Sequence, residues 1–145
     1  MTDINDIVKK FEDERAKWSN IITDFASKFR EVYKLPELQV ELYSNRQILV
    51  EYMYRLISLS GKMEKDLRIE KRKSYDKYTN KFDYKATSQE RELLMEGDNA
   101  DLLERTHHIK SHIDFIRETI KGMDNMIYGI NHRIKLEEYK HVNNH

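Results

Sequence analysis

The chain has 145 residues, of which 26 are basic, 26 acidic and none is cysteine. A disulfide framework and thiol catalysis are excluded, and zero net charge leaves no global field to draw the molecule to nucleic acid or an anionic membrane. One Pro, four Gly, 36% charged and 39% hydrophobic residues fit a long-helix protein rather than a β-sandwich or doubly wound sheet.

The expected class is therefore all-α, with long heptad-patterned helices forming a hairpin or bundle that assembles into a higher homo-oligomer. The start Met1-Thr2-Asp3-Ile4 lacks the basic region and apolar stretch of a secretory signal, and no apolar run approaches a membrane span. A cytoplasmic protein is expected.

The first predicted element carries Ile4, Ile7, Val8, Phe11, Trp18, Ile21, Ile22, Phe25, Phe29 and Val32 at helical spacing, interrupted around Glu14 and Arg15. Asp3 is placed to cap it. Pro36 disfavours helical backbone in Leu35 and suits the first turn of a new helix, so a corner is expected between Lys34 and Glu37.

From Leu42 the spacing tightens to heptads. Leu42, Leu49, Leu56 and Met63 recur every seven residues, interleaved with Asn45, Tyr52, Leu59 and Asp66, a narrow seam for a partner helix. Asn45 and Asp66 either fix register or oligomer state at a cost in stability, or lie at fraying ends. Farther on, Thr87 and Glu90 have the spacing of a capping box, so a break follows Tyr84-Lys85-Ala86 and a short helix runs to about Met95.

The last long helix is expected to start at the Gly97-Asp98-Asn99 turn, with Asp98 or Asn99 accepting from its first-turn amides. Leu102, Thr106, Ile109, Ile113, Ile116, Ile120, Met123, Ile127, Ile130 and Ile134 alternate steps of four and three residues. Isoleucine at both core positions of a heptad favours assemblies larger than a parallel dimer, so this helix is expected to form either a higher oligomer or a bundle seam. Ile109, Ile113, Ile116, Ile120, Met123 and Ile127 are accordingly the candidate oligomerisation residues.

Charge is distributed unevenly. Residues 62–85 hold nine Lys or Arg against five acids, and residues 87–104 hold six acids against Arg91 alone. Lys73, Lys77, Lys81 and Lys85 sit four apart and form a basic row on a continuing helix, with Lys71 and Arg72 at its start. Tyr75, Tyr78 and Phe82 make a neighbouring aromatic stripe, with Tyr84 a short step beyond. Two readings stand. Cations beside aromatics can neutralise phosphates while bases stack, which is how single strands are held without sequence preference. The same features also suit a solvated face with a buried aromatic seam.

Six histidines include His108 and His112 at i, i+4, but no His-Glu-x-x-His motif accompanies them, so solvated or interhelical roles are expected and no metal. Gly-rich phosphate loops, a nucleophile elbow and a P-loop are absent from the sequence. Neither enzyme activity nor a cofactor is expected.

Several stretches in succession resemble the UvsY family, the recombination mediator proteins of T-even-like bacteriophages. They are Leu38-Gln39-Val40-Glu41-Leu42-Tyr43-Ser44-Asn45, Leu67-Arg68-Ile69-Glu70, Lys81-Phe82-Asp83-Tyr84, Asp98-Asn99-Ala100-Asp101-Leu102-Leu103, Asp114-Phe115 and His132-Arg133-Ile134-Lys135. Together they span residues 38–138.

The resemblance implies a non-enzymatic accessory that binds single-stranded DNA and forms a ring-like homo-oligomer of six to eight subunits. It also implies contacts with a phage RecA-like recombinase and with the phage single-strand-binding protein, which the recombinase replaces on the strand with the mediator's help. By the same resemblance DNA contact falls on Lys77 and Lys81 with Lys73 behind them, while Thr79 and Asn80 stand where the family has a further basic residue. The chain before Leu38 is longer than the family's and richer in aromatics, around Trp18. Residues 1–35 are then an N-terminal amphipathic helix, 36–141 the DNA-binding and oligomerisation region, and 142–145 a frayed tail. The rival expectation is a scaffolding coiled-coil protein, for example a phage assembly component, with no nucleic-acid role.

Overall fold

The computed structural model describes residues 3–81 and 85–143, and every regular element among them is helical. Four α-helices are present: α1 (Ile4–Lys28), α2 (Leu35–Asp76), α3 (Ser88–Asp98) and α4 (Ala100–Asn143). A 3₁₀ turn (Val32–Lys34) precedes α2, and a π-helical turn (Lys77–Lys81) follows it. None of these helices is long and apolar enough to cross a membrane.

α2 and α4, of 42 and 44 residues, form an antiparallel hairpin. Their register is pinned by polar pairs along its length. Gln39 donates to Asn131, Arg46 Nε lies 2.5 Å from Asp124, Lys110 is 2.6 Å from Glu64, and Lys77 reaches Asp98 at 3.5 Å. Between them Leu38, Leu42, Leu49 and Leu56 pack against the Ile116, Met123 and Ile130 side of α4.

α1 lies along one side of this hairpin and buries Phe11, Trp18 and Phe25 in the same core. The expected boundary near residue 35 is therefore a corner within one folded body. Asp3 caps α1, its Oδ1 accepting from the amide of Asn5 at 3.3 Å. At the other end Arg133 donates to the carbonyls of Phe29 and Arg30, satisfying acceptors that the end of α1 leaves open. The Phe29 ring also comes so close to α4 that a Cβ on Gly129 would sit 3.3 Å from it.

Three local expectations are corrected. Leu35 is helical (φ −60°, ψ −42°) although Pro36 follows it. Its side chain is fully buried, and Pro36 falls in the first turn of α2, where no intrahelical amide bond is lost. Asn99 does not cap α4. It is the single residue separating α3 from α4, and both its backbone N–H and its Nδ2 donate back to Met95, at 3.1 and 2.9 Å. The tail expected to fray is helical through Asn143, whose Nδ2 donates to Tyr139 at 3.1 Å.

The α2 seam also changes course. Leu42, Leu49 and Leu56 are buried, but the line continues through Ser60, Leu67 and Ser74, while Leu59 and Asp66 are exposed. A straight helix with 3.6 residues per turn drifts off a seven-residue repeat by about 20° per heptad, which carries the contact line to the next column. Asn45 bonds Glu41 of its own helix (2.8 Å) rather than specifying a partner.

The capping box at Thr87 forms in full, with the Glu90 amide donating to Thr87 Oγ1 at 3.2 Å and the Thr87 amide donating to the Glu90 carboxylate at 3.4 Å. Thr87→Ala is expected to weaken the first turn of α3 by about 1 kcal/mol, read as loss of helical Cα chemical shifts over residues 88–91.

Candidate nucleic-acid interface

The basic segment forms the far end of the hairpin, where α2 passes into the π turn and α3 folds back beside it. Lys71, Arg72, Lys73, Lys77, Lys81 and Lys85 are all exposed, but the continuing helix expected beneath them is not present, since α2 ends at Asp76, Lys77 and Lys81 lie on the π turn and Lys85 lies outside any helix. Three of these cations rest on carboxylates: Lys73 on Glu70 at 3.3 Å, Lys77 on Asp98 at 3.5 Å and Lys81 on Asp76 at 3.2 Å. Lys71, Arg72 and Lys85 have no ion-pair partner among the described residues.

The π turn explains the Lys81 contact. Widening the helix brings residue i+5 back over residue i, so Asp76 takes Asn80 Nδ2 at 2.8 Å and Lys81 together. These bonds, Asn80 first and Lys81 second, hold the Asp76 carboxyl below its ordinary range. Asp98 is likewise held low, chiefly by the Tyr78 hydroxyl and then by Ser74, whose Oγ donates at 3.1 Å, and Lys77. The Lys77 ammonium is stabilised by Tyr78, its Nζ 4.8 Å from the ring centre, and then by Asp98.

The aromatic stripe divides. Tyr75 is 54% exposed, whereas Tyr78 is only 7% exposed and packs between α2 and α3. Tyr78 is thus corrected from a stacking candidate to a structural residue that braces Asp98 and Lys77. Phe82 and Tyr84 lie outside the described residues. Beside these cations runs a groove lined by Asp66, Glu70, Asp98 and Asp101 together with Ile69, Leu102 and Arg105. Exposed ion pairs contribute little to stability, so phosphates can replace these carboxylates on the lysines at small cost. The acidic groove disfavours an anion on that side, and Lys71, Arg72 and Tyr75 are exposed.

Of the two places expected for the candidate oligomerisation residues, the structure shows the bundle seam. Ile109, Ile113, Ile116, Ile120, Met123 and Ile127 are all buried within the single chain, against α1 and α2. The strict alternation on α4 serves the intrachain hairpin, because α2 and α1 together cover a stripe that the sequence leaves free to face another copy.

One polar cluster escaped the sequence reading. His112 is fully buried, stacked on Phe11 with ring centres 4.0 Å apart, and its Nε2 lies 2.7 Å from Glu14 Oε2. The same oxygen accepts from the Tyr52 hydroxyl at 2.5 Å. Glu14, Tyr52 and His112 thereby tie α1, α2 and α4 together at mid-length. Burial, the largest influence, holds the His112 pKa below its ordinary value although Glu14 opposes it, and burial followed by Glu14 pushes the Tyr52 hydroxyl well above its usual value. Tyr52 and neutral His112 therefore both donate to Glu14, and His112 Nδ1 has no partner among the described residues. The interruption of the α1 pattern at Glu14 was the available signal. His108 sits away from this cluster, 3.7 Å from Glu104, and among the described residues no group of three or more His, Asp or Glu is arranged to hold a metal.

Comparison of the chain with protein-family models, with curated proteins and with solved structures finds no match.

Proposed function

We propose that this chain is a non-enzymatic recombination mediator. It binds single-stranded DNA as a homo-oligomer and helps a RecA-like recombinase replace single-strand-binding protein during phage recombination and repair. The observation that carries the reading is the set of exposed cations Lys71, Arg72, Lys73, Lys77 and Lys81 at one end of a long helical hairpin, with Lys85 also exposed. The recombinase and the single-strand-binding protein enter through the resemblance of residues 38–138 to the mediator family. One such set binds weakly because its affinity comes from counterion release, and repeating it on several subunits raises avidity through effective concentration.

The rival scaffold reading draws on the balanced charge and on the carboxylates already resting against Lys73, Lys77 and Lys81. Titration of a fluorescent oligothymidylate between 50 and 200 mM salt separates the two. Under the mediator reading log affinity falls linearly with log salt, and replacing Lys71, Arg72, Lys77 and Lys81 together by alanine lowers the slope by about 3, near 0.7 per lost phosphate contact. The helical signal and oligomer size stay unchanged. Absence of salt-dependent binding by the parent protein overturns the proposal in favour of the scaffold.

A further inference from the structure

Among the described residues α3 is the one α-helix that buries none of its side chains. With 11 residues it is also shorter than the length at which an isolated helix begins to hold in water, roughly 12 to 15 residues. Arg91 and Met95, one turn apart, are its half-buried side. At about 100° per residue, Leu93 lies opposite both of them. Leu93 is 69% exposed, and Leu94 beside it is 38% exposed. Exposed leucines scattered singly are ordinary, but these two adjoin on the helix that packs least against the rest of the chain. The outward side of α3 is therefore an apolar face with no cover from its own chain.

The charge around that face states what can cover it. Glu90 and Glu96 stand one turn before and one turn after Leu93, Glu92 flanks it, and all three are exposed. Glu92 and Glu96 have no ion-pair partner among the described residues. Across residues 87–104 six acids face Arg91 alone. Such a field repels phosphates and anionic membranes. A second α3 meeting it about a two-fold axis would set acid against acid. The complementary surface is both cationic and apolar.

We propose that the outer face of α3 docks a basic amphipathic segment of another protein. Its apolar side chains lie on Leu93 and Leu94, and its lysines or arginines lie over Glu90, Glu92 and Glu96. The apolar contact supplies the packing that a helix this short lacks. The acids speed the encounter and turn away acidic partners. The contact goes beyond the mediator reading, uses neither Lys71 nor Arg72, and holds whether or not the chain binds DNA.

A fluorescein-labelled peptide of leucine and lysine at helical spacing, titrated into the full chain, tests it. Micromolar binding is expected, with backbone amide shift changes concentrated in residues 88–98. Leu93→Gln with Leu94→Gln keeps good helix formers in α3 and is expected to weaken binding by roughly tenfold or more. Glu92→Gln with Glu96→Gln is expected to weaken it severalfold and to flatten its salt dependence. Lys71→Ala with Arg72→Ala leaves it unchanged, which separates this contact from any binding of DNA.

Failure of the peptide to bind, shift changes centred elsewhere, or full affinity in the double leucine variant would each overturn the proposal. Equal affinity for an all-lysine peptide would overturn it too, since charge alone would then account for the binding. Native mass spectrometry of the double leucine variant without peptide is expected to give the parent's assembly size. A smaller assembly would show another copy of the chain covering α3, against the proposal.

Discussion

Replacing Glu14 with alanine is expected to lower the stability of the fold by about 2 to 4 kcal/mol, although residue 14 stands where the apolar pattern of α1 lapses. The reason is asymmetric. A satisfied hydrogen bond contributes only about 1 kcal/mol net, but a buried donor left without its acceptor costs about 1 to 3 kcal/mol. Glu14 Oε2 serves two donors, Tyr52 Oη at 2.5 Å and His112 Nε2 at 2.7 Å, and His112 has no exposure through which water could replace it. Urea titration should show the midpoint falling with an unchanged slope. Glu14→Gln, which keeps one acceptor oxygen, should lose less.

The same cluster sets a pH dependence whose sign is fixed by burial. His112 binds its proton less readily in the fold than in the unfolded chain, where its pKa is near 6.5. Its contribution is present in full above that value and is lost as pH falls below it, toward the lower pKa of the fold. Facing the ring are Glu14, which opposes the shift, and Arg15 and Lys10, which add to it. His112→Phe should flatten the stability profile below about pH 6.5, since the replacement keeps the stack on Phe11 and leaves Glu14 to Tyr52.

The second large effect is a contrast between two core truncations. Ile116→Ala removes a fully buried side chain from the centre of the three-helix region and is expected to cost about 2 to 5 kcal/mol. Leu67→Ala should cost less, toward 1 kcal/mol, because Leu67 already borders an open groove shared with Leu103, Thr106 and Lys110. Water enters that groove, so no closed cavity is left. Thermal unfolding of both variants checks the ranking. Ile116→Ala should destabilise the chain at any protein concentration, whereas a side chain that only joins copies would show its effect through dissociation.

Helix type and position were legible wherever backbone and apolar period agree. Asp3, Thr87 with Glu90, and the isoleucine ladder of α4 each have a local physical meaning that tertiary context did not reverse. What the ladder packs against was not legible. Ile116 has the same chemistry whether the helix beside it belongs to its own chain or to another, and only the length and register of α2 decide. Tyrosines hid the converse problem. Tyr78 reads as a possible base-stacking platform and is buried, whereas Tyr43 and Tyr54, to which no role was given, stand exposed. Small polar residues were illegible for a simpler reason: Ser60 and Ser74 are buried, and nothing in a serine's chemistry announces it.

Those serines have a consequence for motion. The apolar core thins out near Ile7 and Met63. Beyond that point the contact side of α2 offers Leu67 and Ser74, opposite Thr106 and Asn99 on the returning chain. Little apolar surface is at stake there, so the free energy of local opening is set low relative to the centre of the bundle. Backbone amides of α3 and of α2 past Met63 should exchange with solvent well before those around Ile116, and a protease should cut first at this end. The exposed cations therefore sit on the part of the molecule that opens most readily, where an occupant that binds only the closed form would slow both exchange and cleavage.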